Sequence, residues 1–283
     1  MPLSFHRLAE AAWRLPQRML LKPLLERMRP GNVMMFHAGR SGSTVLGDLL
    51  GQHPRVFWDS EIFQTSSERW LSRQMRQDPG RSRKAMGHLR DHMRLAGRRF
   101  YGVETKLIHL KWVGLGPEEY LDAIRRLGFS HYVILERRNR LRALVSGLVG
   151  RTTGTWHSTG QTGDAPARTR VRIDLEKVGI KNGLQTLPEF FDRQQATFAA
   201  LRRGLEGKPL LSLVYEDDIQ KDPTAAYGRV TRFLGLDPAP VKVNLRRTNP
   251  FPLSELVENF DEVKAALRGT PYAWMAEEPE GAP

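Results

Sequence analysis

Short apolar runs alternate along this chain with stretches whose apolar positions recur at helical spacing. NVMMFH, from Asn32 to His37, is apolar almost throughout and predicts a fully buried strand. Val45, Leu46, Leu49 and Leu50 follow at the spacing of one helix face. RVFW from Arg55 and FYGVETKLI from Phe100 predict further strands, separated by a basic helical stretch from about Ser66 to Arg98. HYVILE from His131 is a stronger strand pattern, and RNRLRALVSGLVG continues from it as a helix. A glycine- and threonine-rich loop then occupies about Arg151 to Arg170, long enough to predict a functional or mobile segment. PEFFDRQQATFAALRRGL reads as a helix and PLLSLVYE as a strand ending at Glu216. A helix after Asp222 closes at FLGL, and the last helix begins near Leu253. This βα alternation predicts an α/β fold around a parallel sheet.

The pattern places one domain over residues 31–275, with a frayed tail at 276–283. Residues 1–30 read as two short basic amphipathic helices broken at Pro16. Two readings of this arm stand: packing on the domain, or peripheral contact with a membrane surface. No stretch reaches the roughly 18 apolar residues that a membrane span needs. The arm also lacks a continuous apolar signal-peptide core. The expected location is therefore cytoplasmic, with the inner membrane surface as the place for peripheral contact.

Composition narrows the function. Cysteine is absent, which excludes disulfides and thiolate metal sites. The formal net charge of +13 draws polyanions of any kind. A nucleic-acid partner is not expected, because no reading module accompanies the charge.

HAGRSGST, between the first strand and the first helix, carries the chemistry that such charge can serve. Gly39 and Gly42 let the chain wrap an oxyanion closely at a helix N-terminus, where backbone N–H groups converge. Ser41, Ser43 and Thr44 add hydroxyl donors, and Arg40 adds a permanent cationic fork. The nucleotide-triphosphate version of this loop has lysine after its last glycine, whereas Ser43 stands here. That argues against a kinase using ATP. A second cationic cluster lies at the end of HYVILE, where Arg138 precedes Ser146 by eight residues and Arg142 lies between. Basic residues at a helix start oppose its dipole unless an anion is bound there.

Together these segments resemble the PAPS-dependent sulfotransferases, most closely the bacterial carbohydrate sulfotransferases. HAGRSGST is similar to the family's 5′-phosphosulfate loop, with Arg40 where many members have lysine. Arg138 and Ser146 match the pair that holds the 3′-phosphate. VYEDDIQKDPTAAYGRVTRFLGL and NPFPLSELVENFDEV resemble the family's later segments. The resemblance implies a P-loop-type three-layer fold, a central parallel sheet flanked by helices, with PAPS (3′-phosphoadenosine-5′-phosphosulfate) as donor and no metal. It also implies a carbohydrate or glycolipid acceptor.

Sulfuryl transfer should then proceed as an in-line displacement assisted by positioning and charge. Arg40 is expected to stabilise the transferred group, with Ser41, Gly42, Ser43 and Thr44 around the 5′-phosphate. Glu61, in DSEIF, resembles the family's acidic base, and His109, three residues after Lys106, is its rival. Lys106 is a candidate for the donor or acceptor pocket, Arg246 and Arg247 for the 3′-phosphate, and Trp156 with His157 for the acceptor site. A non-catalytic anion- or glycan-binding protein on the same fold is the alternative outside enzymes.

Overall fold

The computed structural model describes residues 28–63, 77–156, 158–159, 168–179, 184–246 and 250–277. Most of the predicted N-terminal arm, the start of the helical stretch after Ser66, and the end of the C-terminal tail lie outside them. His157 and Arg247 also lie outside, as does the side chain of Arg246.

Five parallel strands form the central sheet: β1 (Asn32–His37), β2 (Val56–Trp58), β3 (Phe100–Lys106), β4 (His131–Glu136) and β6 (Leu210–Val214), in the order β2-β3-β1-β4-β6. Between them in the chain, β5 (Ser158–Thr159) pairs with β7 (Leu245–Arg246) as a small antiparallel ribbon. Every residue of β1 is buried, because the strand is central and both faces are covered. Its alternation divides the core. Met34 and Phe36 face one apolar layer, with Tyr132 and Ile134 of β4, while Val33 and Met35 face the other, with Val133 and Leu135.

The first layer is closed by α2 (Arg81–Met93), α4 (Pro117–Arg126) and α6 (Leu187–Gly204). The second is closed by α1 (Ser43–Gln52), through Leu46, Leu49 and Leu50, and by α7 (Pro223–Phe233), through Tyr227 and Val230. The result is the expected three-layer α/β architecture. A third apolar cluster joins α5 (Arg140–Thr153) to the C-terminal helices α8 (Leu253–Leu256) and α9 (Phe260–Leu267). No helix among the described residues is long and apolar enough to cross a membrane.

Helix α5 runs on to Thr153, into the predicted loop, and two strand ends depart from the sequence pattern. The strand from Phe100 stops at Lys106, and Leu107–Val113 folds as helix α3. The reason is local: the His109 ring Nδ1 accepts from the Lys106 backbone N–H at 3.2 Å, a capping bond that ends the strand. Likewise β6 stops at Val214, and Tyr215–Ile219 forms a π-type turn. Within that turn the Asp218 carboxylate accepts the Val214 N–H at 2.7 Å.

The strand order sets the site. From β1 the chain runs to one side of the sheet, and from β4 it runs to the other. The carboxyl ends of β1 and β4 therefore border a topological switch point, where open α/β sheets bind ligands.

Candidate active site

The loop between β1 and α1 is built on left-handed backbone. Gly39, Arg40 and Gly42 have φ of 96°, 54° and 83°. At Gly42 only glycine fits: a Cβ would lie 2.8 Å from Ile219 Cγ2 and 3.0 Å from Tyr215 Cδ2. This turn leaves α1 with no side-chain cap at its N-terminus, so its first N–H groups stay open to a ligand.

Across the switch point, β4 and α5 supply the facing wall. The Arg137 Nη1 donates to the Arg40 carbonyl at 3.0 Å, and its guanidinium lies 4.5 Å above the Tyr215 ring. Arg40 Nε donates to Ser146 Oγ at 2.9 Å, and Nη1 donates to the Trp156 carbonyl at 2.8 Å. Arg40 thus ties the glycine loop to the middle of α5. Burial holds its pKa below the ordinary arginine value, against upward pulls from Tyr215 and Glu61, and arginine remains a cation in this range.

These elements enclose a cavity of about 1300 Å³. Gly42, Ser43 and Thr44 line its floor, and Arg40, Lys106, Arg137, Arg140, Arg142 and Arg193 bring positive charge to its walls. Glu61 is the carboxylate among the described residues that line it. Its Oε2 meets Lys106 Nζ at 2.5 Å, and the carboxylate is about nine-tenths buried. Beneath them sits a second carboxylate, Glu104, fully buried. It accepts from Trp58 Nε1 at 2.8 Å, and its Oε2 lies 3.4 Å from His37 Nε2. Burial by itself would raise the Glu104 pKa, but the contacts with His37, Trp58 and Ser43 outweigh it and hold the group below its usual value. Donor atoms of His37, Glu61 and Glu104 lie within 4.8 Å of one another, which is the arrangement among the described residues that could take a cation. The Lys106 ammonium also supplies positive charge there, beside Glu61.

The chain is similar to Nodulation protein H of Rhizobium tropici. The two are 25% identical over 245 residues, covering 83% of this chain and 88% of Nodulation protein H. No protein-family model and no solved structure matches.

The expected residues fall into three groups. Arg40, Gly42, Ser43, Thr44, Glu61 and Ser146 meet in the one cavity. Ser41 does not line it; the residue is buried, and its hydroxyl has no hydrogen-bond partner among the described residues. His109 does not line it either. With its Nδ1 accepting from the Lys106 N–H, its proton sits on Nε2, 3.8 Å from Glu61 Oε2. Burial lowers the His109 pKa to about 3, which makes it a poor proton acceptor beside Glu61.

Arg138 turns outward. Its guanidinium is about half exposed and forks onto Asp217, while its neighbour Arg137 reaches the cavity wall. The sequence pattern did not single out Arg137, because two adjacent arginines at a strand end look alike until the strand's last residue is known. The start of α5 is held instead by Glu216, whose carboxylate accepts the Arg138 and Asn139 N–H groups at 3.0 and 3.1 Å. Trp156 lines the cavity with its ring against Gly150.

Proposed function

We propose that this protein is a sulfotransferase that takes the sulfuryl group of PAPS and transfers it to a hydroxyl of a carbohydrate or glycolipid. One observation carries the reading: the uncapped, glycine-turned head of α1, a wall of arginines and the Glu61–Lys106 pair all open into one cavity at the switch point. The similarity to Nodulation protein H supports the sulfotransferase family, at a distance. The residues suit an anionic donor. Gly42 keeps the helix head clear, Ser43 and Thr44 offer hydroxyl groups, and Arg40 spans the distance to Ser146.

In this reading the 5′-phosphosulfate lies against residues 39–44. The 3′-phosphate lies by Ser146 and the arginines that open α5. Glu61 takes the proton of the acceptor hydroxyl as its oxygen forms a bond to sulfur. The bond from sulfur to the bridging oxygen breaks, and adenosine 3′,5′-bisphosphate leaves. Arg40 and Lys106 stabilise the charge that builds on the transferred group and the leaving oxygen. Burial of the Glu61 carboxylate lowers the dielectric around it, which strengthens these interactions.

Calorimetric titration with adenosine 3′,5′-bisphosphate, and separately with ADP and with magnesium ATP, tests the donor. Binding of the bisphosphate in preference to both others is expected. A preference for magnesium ATP, or no nucleotide binding, would refute the proposal. Glu61→Gln should lower kcat about 10²–10⁴-fold and leave bisphosphate affinity unchanged.

A further inference from the structure

Glu61 is held in place by residues outside the cavity. It follows Ser60, a non-glycine residue with φ of 53°, a conformation that side-chain-bearing residues rarely adopt. The backbone on both sides is tied to β3: the Asp59 N–H donates to the Gly102 carbonyl at 2.8 Å, and the Glu104 N–H donates to the Ser60 carbonyl at 2.9 Å. Between these two bonds the chain turns over at Ser60 and sends the Glu61 side chain to Lys106.

Two histidines of α2 grip the same segment from its other side. His88 and His92 are one helical turn apart on a single face, with ring centroids 4.3 Å from each other. The His92 Nδ1 meets Asp59 Oδ2 at 2.7 Å, and the same oxygen accepts the buried Tyr101 hydroxyl at 2.9 Å. His88 is hydrogen-bonded to the backbone of Ile62. The two grips fall at positions 59 and 62, on either side of Glu61.

We infer that His88 and His92, with Asp59, form a clamp that holds Ser60 in its left-handed conformation and so seats Glu61 in the cavity. They are positioning residues and touch neither donor nor acceptor. The inference rests on the reading of Glu61 as the base. The electrostatics agree with the geometry. His92 has its pKa raised, chiefly by the hydrogen bond with Asp59, against the opposing effect of burial and with help from the charges of Asp59 and Asp91, so the contact with Asp59 favours the protonated ring. His88 has its pKa lowered, chiefly by burial and then by His92. The two shifts run in opposite directions, as expected for neighbouring rings that disfavour carrying like charges together.

The clamp is tested on the full-length enzyme by two measurements. One is transfer of labelled sulfuryl from PAPS to whichever member of a mono- and disaccharide panel accepts it. The other is hydrogen–deuterium exchange of the amides of residues 59–62. His92→Ala and Asp59→Asn should each lower kcat by about tenfold or more, keep the KM for PAPS within about twofold, and speed exchange over 59–62 by about tenfold. Adding Ser60→Gly to His92→Ala should restore much of the lost kcat, since glycine takes a positive φ without strain. A purely structural loss would show no such recovery. Wild-type kcat and unchanged exchange in both variants would overturn the inference, as would a fall in kcat that Ser60→Gly does not relieve. Glu61→Gln, measured alongside, separates the two ideas. If it keeps full transfer, Glu61 is not the base, while the exchange data still decide whether the clamp holds the segment.

Discussion

Replacing Gly42 with alanine tests the loop at its tightest point. The residue sits at φ of 83°, and an added methyl group would meet Ile219 Cγ2 at 2.8 Å and Tyr215 Cδ2 at 3.0 Å. The left-handed backbone costs a side-chain-bearing residue about 1–2 kcal/mol. Making room in a packed site costs about 1–3 kcal/mol more. A loss of about 2–5 kcal/mol of stability is therefore expected. The damage is directed as well, because the ring that must move is the one under Arg137, which in turn holds the Arg40 carbonyl. Affinity for adenosine 3′,5′-bisphosphate should fall about tenfold or more, equivalent to about 1.4 kcal/mol. Gly87→Ala is the control. It lies inside α2 with open space where its methyl group would go, and should stabilise by about 0.5–1 kcal/mol. Urea unfolding and calorimetric titration report the two effects separately. A Gly42→Ala protein with the wild-type urea midpoint and wild-type affinity would refute the reasoning.

Two further outcomes follow from the site. Arg137→Ala should weaken bisphosphate binding about tenfold or more, whereas Arg138→Ala should weaken it less, since Arg138 is half exposed and already paired with Asp217. The reverse order in calorimetry would mean that Arg138 leaves Asp217 and turns inward for the donor. His109 predicts an acid-labile fold. Its folded pKa is about 3 against an ordinary 6.5, so in this interval the unfolded chain binds a proton that the native chain does not. Its contribution to stability is complete above pH 6.5 and falls by about 1.4 kcal/mol per unit as the pH drops towards 3. The slope should flatten in His109→Gln, measured by urea unfolding at several pH values.

Much of the fold was legible because burial leaves its mark on composition. A central parallel strand must be apolar on both faces, so NVMMFH and HYVILE declared themselves, and the helices between them showed their covered faces. The glycine loop was legible for a related reason: a tight turn at a helix head needs glycine where a side chain has no room, as at Gly42. What failed were boundaries set by a single side chain turning back on the backbone. His109 ends β3 through its ring nitrogen, and Asp218 ends β6 through its carboxylate. Such bonds carry no periodicity.

From the sequence alone came the layered α/β class, the glycine-rich loop at the first helix head and the set of residues from which a candidate site would be built. Hydrophobic period and glycine placement are local properties of the chain, so they are written there. Only the tertiary structure decided which residues meet. It brought Arg40 to Ser146 across 106 positions, chose Arg137 over Arg138 for the cavity wall, and sealed His109 beneath Glu61. It also set two histidines of α2 on either side of Glu61's seat. Those outcomes depend on strand order and on where each strand stops. Both are fixed by packing between segments far apart in the chain, and no local pattern encodes them.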